Sequence, residues 1–452
     1  MIKNLTKKNM KTKNIFKYLL LIILMLQINS CVSTDAEQKF DDSPTERLNK
    51  QKKELNDLLL SSENGWKAVY YTDDNQLGGF THLFKFLPDG KVTMASDFDD
   101  DTKKHDSQYE IQLGSTVSVV FTTKNKIHLL SDSGNSPLAP GKGFLGDFQF
   151  LFYGVENGDL VFRTNRTVKE VRFVKATPQD WDDLAGNTIM NKNLTGDINS
   201  PLFRTLETTD GTTVKKYDLN YNSVVRFGTA SPLEDGNAET LKLAVAYTPT
   251  GITVKPAITV GSQKLSAFAY NETDKNFVAT GTSGTKATIQ FTNIPPRLTD
   301  DYKLFLEGGP QITIGYIAAN LSKAATNSPY AKAILDKVNA ALPANQKISR
   351  IELNFNDPLN GNYIAYTFTG GKGPIYHFFT TSEDAANKTI ILTNDGWTAS
   401  AATRAFLKIL DDEITNPKGL YLKKESFTIF YTNVIYTYAS AATPFRLTNY
   451  RF

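Results

Sequence analysis

Along most of this chain apolar and polar residues alternate with a period of two, and the pattern is broken by four short stretches of helical period. Side chains two apart share one face of a strand, so such alternation buries one face and wets the other. It begins at residues 66–71 (WKAVYY) and resumes where Phe84 and Phe86 flank Lys85. Pro88-Asp89-Gly90 supplies a turn, Val92 and Met94 alternate on the return, and the spacing predicts a hairpin. Further strands are predicted at 109–113, 117–122, 126–130, 148–153, 160–164 and 168–174, with tight turns at Asn157-Gly158 and near Asn165. Beyond residue 180 the pattern predicts strands at 215–219, 224–227, 240–247, 252–254 and 286–291. A last group falls at 351–355, 363–368, 376–380, 389–392, 426–431 and 434–438.

The helical stretches carry their own start signals. Ser43-Pro44-Thr45-Glu46 combines a cap, a first-turn proline and a capping-box glutamate; Leu48, Leu55, Leu58 and Leu59 then share a face, and Asn64-Gly65 ends the helix. Thr177-Pro178-Gln179-Asp180 starts another that carries Trp181 and Leu184. A third runs from Ser328-Pro329 to about residue 342, burying Ile334, Leu335, Val338 and Leu342, and a fourth spans 402–414 with Phe406, Leu410 and Ile414 in register. The expected fold is mainly β, an antiparallel sandwich or barrel-like domains with a few short helices, α+β overall. No repeat of fixed period is evident. The expected organisation is a mainly β domain at 43–176 and a β-rich region with helices at 177–452, room for two subdomains.

The start of the chain reads differently. Six lysines and no acid occupy residues 1–17, the apolar run YLLLIILML follows at 18–26, and Ile28-Asn29-Ser30 leads into Cys31. This order predicts a secretory signal at 1–30; nine apolar residues fall short of the roughly 20 that span a bilayer. Ile-Asn-Ser-Cys resembles a lipobox, which implies diacylglycerol on the Cys31 thiol and a lipid anchor in a membrane. Each buried CH₂ is worth about 0.8 kcal/mol, so several acyl chains hold durably. Residues 32–42 (VSTDAEQKFDD) read as a tether; Asp35 and Glu37 resemble a surface-export signal of Bacteroidetes lipoproteins, with a plain solvated linker as the alternative.

Charge follows from that cut. The whole chain is formally +3, but removal of six lysines leaves 44 basic against 47 acidic residues. That is not a nucleic-acid-binding balance. Cys31 is the only cysteine, so disulfides and thiolate metal sites are not expected, and no cofactor is expected either.

Candidate chemistry is sparse. Gly141-Lys142-Gly143-Phe144-Leu145-Gly146 matches G-x-G-x-x-G, but a Ser/Pro-rich loop precedes it and alternating Phe148, Phe150 and Phe152 follow. A dinucleotide fingerprint needs a strand before and a helix after, so these glycines are read as a tight turn into a sheet. Asp97, Asp99 and Asp101 offer hard oxygen ligands for Ca²⁺, a candidate metal site. Thr102 and Gln108 stand where an EF-hand-type loop wants glycine and glutamate, and Lys103 and Lys104 offset the charge, which favours a solvated hairpin loop. His82, His105, His128 and His377 form no H-E-x-x-H, and G-x-S-x-G is absent from the sequence. Dispersed carboxylates for glycoside cleavage stay open, because their separation is a property of the fold. Trp66 and Trp397, each beside an Asx-Gly pair, are ligand-binding candidates that could stack on a sugar or anchor a partner. Burial in the core is the reading favoured for both, and for Trp181, because tryptophan is mostly buried.

The stretch 65–174 resembles a family of Bacteroidetes lipoproteins, the domain-of-unknown-function family 4302. Gly65-Trp66, Phe84-Lys85-Phe86 with Gly90, Ser96-Asp97, 127–132 (IHLLSD) and 141–150 (GKGFLGDFQF) carry the resemblance. It implies no activity and no catalytic residue. It implies location and company: an outer-membrane lipoprotein, at the cell surface or on the periplasmic face, accessory to a nutrient uptake system of the SusC/SusD type. The expectation is therefore a non-enzymatic protein that binds a glycan, a peptide, or a TonB-dependent transporter with its SusD-like partner. A secreted hydrolase with dispersed carboxylates and an adhesive or structural surface protein are the alternatives.

Overall fold

Each strand pairs with its neighbour in sequence, and the pairing runs on until the last strand meets the first. The computed structural model describes residues 43–452 except 115, 136, 138, 139, 235, 237 and 238. Among these, the strands form three closed barrels of eight strands each, antiparallel throughout. The first barrel runs from strand Trp66–Tyr71 to strand Glu170–Lys175 and closes through Trp66 opposite Lys175. The second runs from Phe203–Asp210 to Thr285–Thr292, which pair along their whole length. The third runs from Ile312–Ile317 to Arg446–Arg451, closed by Ile314 opposite Arg451. Closure leaves no open sheet edge, so the backbone groups of the edge strands find partners. The mainly β, antiparallel architecture is the one the alternation predicts, and it takes the barrel form.

The barrels are filled by side chains. In the first, Phe84 stacks between Phe121 and Phe173 at centroid distances of 5.1 and 5.0 Å, and Tyr70 meets Phe150 edge-on at 5.7 Å. Full burial of such a side chain contributes roughly 1.5–3 kcal/mol, and the ring pairing about 0.5–1.5 more. Helix Leu184–Thr195 sends Met190 and Leu194 into the second core. Helix Pro329–Ala340 sends Ala331, Ile334, Leu335 and Val338 into the third, with Leu407, Leu410 and Ile414 beside them.

The helix starts hold their expected caps. Ser43 and Glu46 exchange side-chain and backbone bonds at the head of helix Pro44–Leu60, and Thr177 and Asp180 do the same before Pro178–Asp182.

Four expectations need correction. Residues 126–130 are a 3-10 helix, because Asn125 Oδ1 accepts from Ile127 N and His128 Nδ1 accepts from Asn125 N, a cap that outcompetes the strand. Of residues 224–227, the first three form a turn that leads into strand Phe227–Pro232; Val225 gives its carbonyl to Gly78 N beside the first barrel at 2.8 Å. Residues 426–431 are a loop, because strand Leu420–Lys424 pairs with Ile435–Ser440 and leaves 425–434 to connect them. The helix at 402–414 is broken into Ala401–Arg404, a 3-10 turn and Lys408–Ile414, although Leu410 and Ile414 still face the core. The signal segment, Cys31 and the tether lie outside the described residues.

Candidate functional site

Trp66 is 1% exposed and donates from Nε1 to Leu59 O at 2.9 Å, so it is a core residue of the first barrel. Trp181 is half-buried, bonded to Asn64 O at 2.8 Å. Trp397, also half-buried, lies flat on the His377 ring at 3.9 Å and 10°, with the Arg404 guanidinium 4.7 Å from its own ring. At the glycine-rich stretch, Phe144 N and Gly146 N both donate to Leu130 O, and a Cβ at Gly146 would fall 2.4 Å from that of Leu130. These glycines allow a close loop crossing ahead of strand Gln149–Glu156.

The structure does not gather Asp97, Asp99 and Asp101. Asp99 and Asp101 stay at the surface, where Lys126 Nζ lies 2.6 and 3.6 Å from them and His105 pairs with Asp101 at 2.8 Å. Asp97 turns inward. Its Oδ1 accepts from Thr81 N at 2.9 Å and Arg226 Nη1 at 2.9 Å, and its Oδ2 accepts from Asn187 Nδ2 at 2.8 Å. Arg226 also donates to Gly79 O and to Asp97 O, and its guanidinium lies over the rings of Phe80 and Tyr247. This clamp joins the first two barrels and the helix between them. Gly78 makes room for it, since a Cβ there would sit 2.2 Å from Val245 O. His82 is buried beside the clamp with neither ring nitrogen bonded among the described residues, and burial pushes its pKa down to about 4. No group of three or more His, Cys, Asp or Glu side chains suited to a metal occurs among the described residues.

A second buried network lies in the third barrel. His377 Nδ1 meets Asp411 Oδ1 at 2.7 Å, and Tyr366 OH donates to the same oxygen at 2.7 Å. Burial holds the Tyr366 phenol well above its ordinary range. His377 Nε2 is held by Asn394 Oδ1 at 2.9 Å, not by a hydroxyl that could act as nucleophile. The set braces helix Lys408–Ile414 against the barrel wall, and Trp397 covers it.

A cleft of about 400 Å³ between the second and third barrels is different, because its polar groups are not all spent. Its size falls in the range of small-ligand sites, about 300–1,000 Å³. Strand Val214–Asn222 contributes Asp218 and Asn220, the linker after the second barrel contributes Arg297, and the third barrel contributes Lys423, Glu425 and Arg446. Arg446 Nε donates to Thr326 O at 2.5 Å, and its guanidinium lies 5.8 Å from the Phe203 ring. Its two terminal nitrogens carry no hydrogen bond among the described residues. Burial lowers its pKa, and Glu425 opposes that. Burial raises the Asp218 pKa, countered by Lys423 and Arg297, and its carboxylate accepts no hydrogen bond among the described residues. Glu425 is held by Lys423 at 3.0 Å and Thr437 at 2.8 Å. Sequence reasoning missed Arg226, Asp218 and Arg446. Each stands singly in a stretch of ordinary alternation, so no local signal marks it.

The chain is thus a mainly β protein built of three up-and-down barrels, with a charged cleft between the last two. It belongs to the family described as a domain of unknown function (DUF4302), whose model matches residues 36–272, just over half of its length. No curated protein matches it. The matched region reaches past 174 to take in the Asp97–Arg226 clamp and, in the cleft, Arg204 and Asp218. Arg297, Lys423, Glu425 and Arg446 lie beyond it.

Proposed function

We propose that this chain is a lipid-anchored surface lipoprotein that binds its ligand without chemistry, in the cleft between the second and third barrels, as an accessory of a SusC/SusD-type outer-membrane uptake system. The cleft carries the binding part of this reading: it is of ligand size and presents Arg446 and Asp218 with bonding capacity left over. Both side chains are half-buried, so a ligand would exchange their water for direct bonds. The basic-then-apolar leader ending at Cys31 supports the anchor. Among the described residues no helix is long and apolar enough to cross a membrane.

Affinity capture of the tagged, lipidated protein from gently solubilised outer membranes tests the assignment. A co-purifying transporter and SusD-like protein are expected. Recovery of the protein alone, under conditions that keep a known transporter pair intact, would remove the accessory role. A Cys31→Ala protein should lose its acyl label and leave the membrane; unchanged retention would remove the anchor.

One observation favours hydrolysis as a second reading. Asp218, whose pKa burial raises, and Glu425, in an ion pair with Lys423, line one cleft, and glycoside cleavage uses two carboxyl groups in unequal surroundings. Turnover of chromogenic glycosides that Asp218→Asn abolishes would establish it; no turnover by the unaltered protein would dismiss it.

A further inference from the structure

Resting on the binding reading of this cleft, we infer that its ligand is an acidic sugar: a polyhydroxylated molecule carrying a carboxylate or phosphate group. The charge balance of the walls leads there. Lys423 is offset by Glu425 at 3.0 Å, and Lys388 by Asp300 at 3.3 Å. Arg204, Arg297 and Arg446 form no ion pair of that closeness among the described residues. Arg204 donates to the carbonyls of Leu194 and Thr195, Arg297 to that of Pro232, and Arg446 to that of Thr326. A carbonyl oxygen orients a guanidinium but does not neutralise it. Among the described residues, three positive charges therefore line the cleft against the unpaired carboxylate of Asp218.

Arg446 sets the anionic end. Its Nε is fixed by Thr326 and its plane lies near Phe203, so its terminal nitrogens are pre-oriented. A planar fork of this kind matches two oxygens of a carboxylate or phosphate, and such paired bonds are about twice as strong as neutral ones. Asp218 and Asn220 set the other end. They lie two residues apart on strand Val214–Asn222, hence on one face, and neither side chain bonds to the protein among the described residues. A carboxylate that accepts beside an amide that both donates and accepts suits neighbouring hydroxyls. A bare inorganic anion would leave these two groups unused, and a neutral sugar would leave Arg446 uncompensated.

Calorimetric titration of the intact protein with glucuronate, glucose 6-phosphate, glucose and inorganic phosphate tests the inference. At least one acidic sugar should bind about tenfold or more tighter than both glucose and inorganic phosphate. The carboxylate and phosphate arms separate the two anion sources. Arg446→Gln should lower that affinity about tenfold and Arg446→Lys less, because the lysine keeps charge and loses the fork. If Arg446→Gln does not fold, the exposed Arg297→Gln takes its place and should weaken the acidic sugar selectively. Glucose binding as tightly as the acidic sugars would overturn the ligand class and leave a binding cleft standing. Phosphate alone binding as tightly would reduce the site to a plain anion site and overturn it too. Binding of no probe would overturn the inference, while membrane co-purification judges the accessory role separately.

Discussion

Arg226 Nη1 lies 2.9 Å from Asp97 Oδ1, with both side chains almost wholly out of water, so a turn of the second barrel is tied to the end of a strand in the first. Removing one member of a buried pair strands the other charge, at a cost of about 3–5 kcal/mol. Arg226→Met is therefore expected to lower the unfolding free energy by that amount in a urea titration. Arg226→Met with Asp97→Leu should cost clearly less than the two single changes added together. Additive losses would mean that the two groups act independently.

His82 supplies a pH dependence with a definite sign. Its pKa is about 4 in the folded chain against an ordinary 6.5, so between those values the unfolded chain binds a proton that the folded chain refuses. The contribution is whole above pH 6.5 and is lost as pH falls through 4. At about 1.4 kcal/mol per unit this amounts to roughly 3 kcal/mol. The melting temperature should fall accordingly between pH 7 and 4, and His82→Leu should flatten that part of the profile. An unchanged profile in His82→Leu would assign the acid sensitivity to other groups.

Trp397 lies flat on His377 at 3.9 Å and covers its bond to Asp411. Trp397→Ala should cost about 2–3 kcal/mol, less than the 3–5 of a fully buried aromatic because the ring is half-buried. The check is the melting temperature with and without candidate sugars. A change confined to sugar affinity, with melting unaltered, would return Trp397 to the role of a ligand platform.

Phe430 is 82% exposed and sits at φ 55°, a left-handed conformation that a bulky residue adopts at a cost of about 1–2 kcal/mol. Phe430→Asn should raise stability by about 0.5–1 kcal/mol, because asparagine tolerates that region and little packing is lost. Equal or lower stability in denaturant titration would show that the ring contributes more than its exposure suggests.

How far the sequence could be read is visible at particular residues. The hairpin around Pro88-Asp89-Gly90 was legible because turn chemistry and alternation agree, and strands Gly79–Leu87 and Lys91–Ser96 pair as that predicts. The capping box at Ser43 and the helix start at Thr177 were legible because a cap acts within four residues. Residues 126–130 misled because Ile127, Leu129 and Leu130 suit strand and helix alike, and Asn125 decided between them. Strands Phe203–Asp210 and Gln263–Asn271 escaped notice; each buries only two residues, and Thr, Lys, Ser and Ala dilute the apolar signal. The same eight-strand meander recurs three times without a sequence period, because strand and loop lengths differ between the barrels.

The sequence by itself determined the period of the chain, its turns and caps, and so a mainly antiparallel β protein, because each is a matter of neighbours a few residues apart. Closure into three barrels, the pairing of Asp97 with Arg226 and the meeting of Asp218 with Arg446 in one cleft were decided by tertiary structure alone. Those residues stand 129 and 228 positions apart in the chain. No local propensity couples groups at such separations; only the burial of the barrel cores and the register of the strands bring them together.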